Sequence, residues 1–237
     1  METASVIKLP IMAAAFDYLA DAGQSWNDPI HVTAGDIVEG SGILQYLSPG
    51  LALPFRDVIT LMIIVSDNTA TNMILRQIGI DRVNQFIQGI PLANTRLCKR
   101  IDFSLPGPLG LSTAQDLGTL LNRLYQRTLV SPDASTMMWE ILCRQQYNTL
   151  IAREIPYAWI ASESHGPPLV QIGSKGGSLE GIRNDIGIIT TPWGDYALAL
   201  LSEHCADHRF HVDNEALTLL PKISQIIFDY FTQNDRP

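Results

Sequence analysis

Ser5-Val6-Ile7-Lys8, at the head of SVIKLPIMAAAFDYLADAG (residues 5–23), is the stretch on which the reading of this chain turns. Ile7, Ile11, Ala14 and Tyr18 recur along one helical face, so the spacing predicts a helix over 5–22 with Gly23 just past its end. Ser5 and Lys8 lie three residues apart on a shared face. Ser5 falls at the helix N-terminus, where the helix dipole favours developing negative charge. A serine hydroxyl is a poor nucleophile without a base beside it. A desolvated lysine with a depressed pKa can be that base. By average composition about one Ser-x-x-Lys arises by chance in a chain of this length, so the segment decides nothing alone.

Outward from it, the pattern predicts helices over 54–65, 68–79 and 81–89, with Ser66-Asp67-Asn68 at the break between the first two. Residues 24–53 read as connections and short helices. TRLCKRIDFSLPGPLGLS (residues 95–112) carries two Pro and two Gly and no clear period, so it reads as a long surface loop. Helices resume over 113–129 and 132–147. The character then changes: VQIGSKGG (170–177), NDIGIITT (184–191) and YALALLSE (196–203) read as strands. The last two are joined by the turn Pro192-Trp193-Gly194-Asp195 and should form an antiparallel hairpin. A closing helix runs over 214–231, with Pro221 marking a kink or restart. Helices, then strands, then a helix indicate an α+β chain: a helical lobe over about 5–150 and a sheet lobe with its closing helix over about 165–233. The 237 residues fit one domain.

Hydrophobic residues make up 46% and charged residues 17%, enough for a large core. The net charge of −8 argues against a nucleic-acid partner, which needs a basic patch. No apolar run reaches a membrane span of about 18 residues, and the first residues lack the charged and apolar regions of a signal peptide. Cys98, Cys143 and Cys205 form no paired motif, so no structural zinc site is expected; they read as buried apolar residues. Of the five histidines, His31 and His165 stand apart, and His204, His208 and His211 share helical spacing in a segment that reads as loop. Solvated loop histidines are expected rather than a metal site. Glu39 and Glu180 read as surface charge.

Two further segments change the weight of SVIK. Ser66-Asp67-Asn68 follows Ser5 by 61 positions, and Lys175-Gly176-Gly177, on a predicted strand, follows Ser66 by 109. A cation beside a glycine-rich strand lets a ligand approach the backbone and binds a carboxylate. SxxK, SDN and a Lys-x-Gly strand, in this order, resemble class A serine β-lactamases and penicillin-binding proteins. SDNTATNMIL, TRL and GIRNDIGII strengthen the resemblance, which runs over essentially the whole chain.

The resemblance implies a β-lactamase/transpeptidase-like fold, with a helical lobe packed on an antiparallel sheet. It implies Ser5 as the acylated nucleophile, Lys8 as base or proton path, Ser66 as proton relay to the leaving nitrogen, and Lys175 as carboxylate anchor. Asn68, Gly177 and Ser178 would bind substrate, with the N–H groups of Ser5 and Ser178 as oxyanion hole. Asp67 would cap the next helix. The implied partner is a β-lactam or peptidoglycan-like small molecule, with no cofactor and no metal, and family members act in the periplasm or outside the cell.

Three departures stand out. The loop that carries the water-activating glutamate in class A enzymes has none here and is a few residues short. Its single carboxylate, Asp102, is the candidate deacylation base. Gly176 replaces the usual threonine. The family's N-terminal helix and two strands before the nucleophile have no counterpart, which would leave a sheet edge unpaired. Three activities remain open: a β-lactam hydrolase, a D-Ala-D-Ala peptidase, and a penicillin-binding or silent relative.

Overall fold

The structure, a computed structural model, describes residues 1–161 and 168–232. His165 lies outside the described residues.

Every residue from Lys8 through Phe16 is buried, which marks helix α1 (Lys8–Ala22) as the centre of the helical lobe. A helix apolar on all sides is stable only inside other elements. Helices α2 (Phe55–Ile64), α3 (Asn68–Ile78), α4 (Ile80–Gln88) and α6 (Pro132–Leu142) pack around it, and α5 (Ala114–Tyr125) packs on α6. Pro10 is tolerated because it sits in the first turn of α1, where N–H groups have few helical partners. Gly23 ends the helix in the left-handed conformation, φ 63°, as its position predicts.

The helix predicted from residue 5 starts differently. Ala4–Ile7 form a 3-10 turn and the α-helix begins only at Lys8. Three residues per turn place positions i and i+3 directly in line, so Ser5 and Lys8 share a side more strictly than α-helical geometry requires. Residues 24–53 also depart from expectation. Besides a 3-10 turn at Leu44–Tyr46, strands β1 (Pro29–His31) and β2 (Ala52–Pro54) pair antiparallel across the intervening loop.

The loop over 95–112 is closed at its neck by strands β3 (Arg96–Leu97) and β4 (Gly110–Leu111), paired antiparallel. A short helix, α7 (Tyr157–Ile160), precedes the main sheet. That sheet contains β5 (Gln171–Leu179), β6 (Ile182–Thr190) and β7 (Tyr196–Leu200), all antiparallel in the order β5-β6-β7. Strand β6 is buried along eight of its nine residues because it has a core on each face. Ile186 and Ile188 join the core of the helical lobe, whereas Ile189 joins Ala216, Leu220 and Phe228 of α8 (Glu215–Thr232). Pro221 lies within α8 without ending it. The outer strands β5 and β7 are sheet edges among the described residues.

Asp67 fixes the break between α2 and α3. One carboxylate oxygen caps α3 through Ala70 N at 2.8 Å, and the other accepts Ile43 N at 2.7 Å and Leu44 N at 2.9 Å. The 41–44 segment presses so close that a Cβ on Gly42, at φ +105°, would lie 2.4 Å from Asp67 Cα. Asp67→Ala therefore leaves three backbone donors without their acceptor. The expected loss is about 2–4 kcal/mol of unfolding free energy, measured by urea denaturation; a loss under about 0.5 kcal/mol contradicts this role.

Candidate active site

Four elements meet at one cavity of about 370 Å³, whose wall includes Ser5, Asn68, Asp102, Ser178 and Phe210. The 3-10 turn contributes Ser5, α3 contributes Asn68, the 95–112 loop Asp102, and the end of β5 Ser178. Glycine permits the convergence. A Cβ on Gly177 would sit 2.8 Å from both Ser5 N and Val6 N, so β5 lies against the backbone of the serine turn only because that side chain is absent. Of the five non-glycine residues with positive φ among the described residues, two belong here: Ala4 at 47° and Ser66 at 52°. Such conformations persist where surrounding structure enforces them, and they concentrate at functional sites.

Two buried lysines converge on one hydroxyl. Lys8 Nζ lies 3.2 Å from Ser66 Oγ and Lys175 Nζ lies 3.0 Å from the same oxygen. Lys8 also donates to Ser66 O at 2.7 Å and Asn68 Oδ1 at 2.8 Å, and Lys175 to Gly176 O at 2.6 Å. Burial, and secondarily the charge of Lys175, holds the Lys8 amine well below the ordinary lysine range. Burial likewise pulls Lys175 down to about 7, opposed by Asp185. Two ammonium groups sharing one acceptor in a desolvated site repel each other, so the arrangement favours one neutral amine. With Lys8 neutral, the Ser66 hydroxyl can donate to its lone pair.

The sequence-predicted residues are brought together, with one difference. Lys8 turns its amine toward Ser66 and Asn68, and Ser5 Oγ makes no hydrogen bond among the described residues. Asn68 is positioned by Lys8 on one side and by Glu39 O, at 3.0 Å, on the other. Asp102 lines the cavity, but Ser104 N and Ser104 Oγ donate to its Oδ1 at 3.0 and 2.6 Å. These bonds hold its pKa below the ordinary carboxylate value.

Several contributors went unread in the sequence. Asn72, one helical turn after Asn68, clips the loop: Ile101 N donates to its Oδ1 at 3.0 Å while its Nδ2 donates to Ile101 O at 2.9 Å. The four-residue spacing within SDNTATN was the available signal. Asn184 holds the chain before Ser5, donating to Glu2 O at 3.0 Å and Thr3 O at 3.3 Å. Arg183 donates to Leu179 O, Ile182 O and Arg209 O and lies under the Phe210 ring, 4.5 Å from its centroid. Asp185, behind β5, accepts Ile151 N at 3.0 Å, and burial pushes its carboxyl upward.

One expectation is corrected in detail: the cysteines are free, and Cys98 and Cys143 are exposed rather than buried. The exposed His208 and His211 pair with Glu180 and Asp213, at 2.8 and 3.4 Å.

Comparison with known proteins identifies the family and the fold. Residues 1–231 match the model of the β-lactamase enzyme family. A β-lactamase from Sphaerobacter thermophilus is 30% identical with a TM-score of 0.86, covering 100% of this chain and 85% of its own. The structure of PBP-A is 28% identical with a TM-score of 0.80, covering 97% and 81%, and a variant of PBP-A has been described as an acyl-enzyme complex with penicillin G. A class A β-lactamase from Mycobacterium abscessus, 20% identical with a TM-score of 0.82 over 98% of this chain and 85% of that one, shares the fold. The α+β architecture expected from the sequence is that of these proteins, and the chain belongs to the β-lactamase enzyme family.

Proposed function

We propose that this protein is a serine hydrolase that opens β-lactam rings through an acyl-enzyme on Ser5. The observation that carries the reading is the meeting of Lys8 and Lys175 at Ser66 Oγ, beside the turn that presents Ser5. Neutral Lys8 takes the proton of Ser5 Oγ as that oxygen attacks the lactam carbonyl. The N–H groups of Ser5 and Ser178 face the developing oxyanion. When the C–N bond breaks, Ser66 gives its proton to the departing nitrogen and regains one from Lys8. Lys175 holds the substrate carboxylate as a cation, and Asn68 and the backbone of Gly177 orient the substrate amide. Because both lobes contribute, the 237 residues act as one domain, and like its family the protein works in the periplasm or outside the cell.

A second reading, a D-Ala-D-Ala peptidase or a long-lived penicillin-binding relative, is favoured by one observation: the 95–112 loop has no glutamate, and its only carboxylate is bound to Ser104.

Intact-mass spectrometry during incubation with penicillin G separates the readings. The expected result is an adduct on Ser5 that forms and disappears as opened product accumulates; a lasting adduct selects the second reading. Ser5→Ala abolishes the adduct, and Lys8→Ala slows its formation by about 10²–10⁴-fold. Adduct formation by Ser5→Ala at the parent rate contradicts the proposal.

The buried lysines also set the pH dependence of stability. A lysine whose folded pKa lies below its unfolded value of about 10.4 binds its proton more tightly in the unfolded chain, so stability rises with pH between the two values. For Lys175 that window opens at about 7. In Lys175→Met the slope of unfolding free energy against pH, between about 7 and 10, falls by about 1.4 kcal/mol per pH unit. Urea denaturation across that range measures it, and an unchanged slope contradicts a buried, depressed Lys175.

A further inference from the structure

The cavity at Ser5 holds a second carboxylate besides Asp102, and it comes from outside the 95–112 loop. Glu2 lines the same cavity wall as Ser5, three residues before it. Its backbone is held on two sides: Glu2 pairs with Leu111 in an isolated bridge, and Glu2 O accepts Asn184 Nδ2 at 3.0 Å. Neighbouring Met1 and Thr3 exchange further backbone bonds with Ser112 and Gly110. The side chain is therefore launched from a fixed base. One oxygen, Oε1, accepts Leu109 N at a long 3.3 Å, and Oε2 has no hydrogen-bond partner among the described residues.

We propose that Glu2 is the general base of deacylation in this enzyme, a role that rests on the Ser5 acyl-enzyme reading. A water in the cavity forms a bond from its oxygen to the acyl carbonyl carbon while its proton passes to the Glu2 carboxylate. The tetrahedral intermediate then breaks its bond to Ser5 Oγ, which takes that proton back from Glu2. The product leaves as the carboxylic acid, and the serine and the carboxylate are restored. Glu2 suits the task better than Asp102 on three observations. Asp102 Oδ1 already accepts two bonds from Ser104, whereas Glu2 keeps an oxygen open. Glu2 reaches one methylene further. It also stands on the segment that carries Ser5, so base and ester keep a fixed separation, as general-base catalysis requires. Losing the loop glutamate then moves the base to another segment rather than removing deacylation.

The test follows the Ser5 adduct of penicillin G by rapid-quench intact-mass spectrometry in the parent, Glu2→Gln, Glu2→Asp and Asp102→Asn, with far-UV circular dichroism confirming folding. Glu2→Gln keeps the acceptor for Leu109 N, so acylation is expected within about threefold of the parent while adduct loss slows by about 10²-fold or more. Glu2→Asp is intermediate, and Asp102→Asn slows adduct loss far less than Glu2→Gln does. The acid limb of the parent's deacylation pH profile disappears in Glu2→Gln, which a packing role would not cause. Adduct loss at the parent rate in Glu2→Gln overturns the proposal, as does slowing in Asp102→Asn instead, or a parent adduct that never clears. Absence of any adduct in the parent is a different failure: it removes the acylation reading and this role with it.

Discussion

Two lysine side chains buried against one serine hydroxyl form the constraint on which the rest of this molecule depends. Moving an ammonium group out of water is costly unless it is paired or sheds its proton. Lys8 and Lys175 come from opposite lobes, a central helix and a sheet edge, and meet at Ser66 Oγ. The arrangement survives because its other atoms are satisfied: Lys8 by Ser66 O and Asn68 Oδ1, Lys175 by Gly176 O. Asp185, on the far side of β5, offsets part of the charge on Lys175. One of its carboxylate oxygens has no partner among the described residues, which fits a carboxyl that keeps a proton into the neutral range.

The scaffold can be understood as what holds that meeting in place. Asp67 fixes the sharp break that lets Ser66 turn its hydroxyl toward both amines. Gly177 lets the strand bearing Lys175 touch the backbone of the Ser5 turn. Gln145 ties the lobes together, its Nε2 donating to Ile63 O at 3.1 Å on α2 and Ser174 O at 3.2 Å on β5. On the open side, Asn72 and Asn84 grip the 95–112 loop through backbone groups of Ile101 and Leu97. This loop is long, yet anchored at its neck and middle.

Much of this was legible in the sequence, for identifiable reasons. The helices and the three strands of the main sheet announce themselves through apolar period and turn residues; most ends fall within about two residues of the expected ones, but α5, α6 and β7 stop at Tyr125, Leu142 and Leu200, short of the expected 129, 147 and 203. Ser66, Asn68 and Lys175 were legible because three short patterns occur in a fixed order, which chance rarely produces. What was not legible involves partners far apart in the chain. The β1–β2 pair joins short segments with no alternation to betray them. The 3-10 turn at Ser5 follows from tertiary packing against β5 rather than from propensity. Periodicity could place Lys8 beside Ser5 but could not say that its amine would turn to Ser66 and Asn68, and the carboxylate of Glu2 drew no attention because it lies in a segment without a motif.

The ionisation of Lys8 tests the central claim most directly. Nuclear magnetic resonance of the protein labelled with ¹³C and ¹⁵N in its lysines, with Lys8→Arg assigning the resonance, reports whether that amine is neutral. The account predicts a neutral Lys8 amine at neutral pH, with a titration midpoint far under the ordinary value of about 10.4. A Lys8 that remains an ammonium ion up to about pH 10, titrating like an exposed lysine, would contradict it.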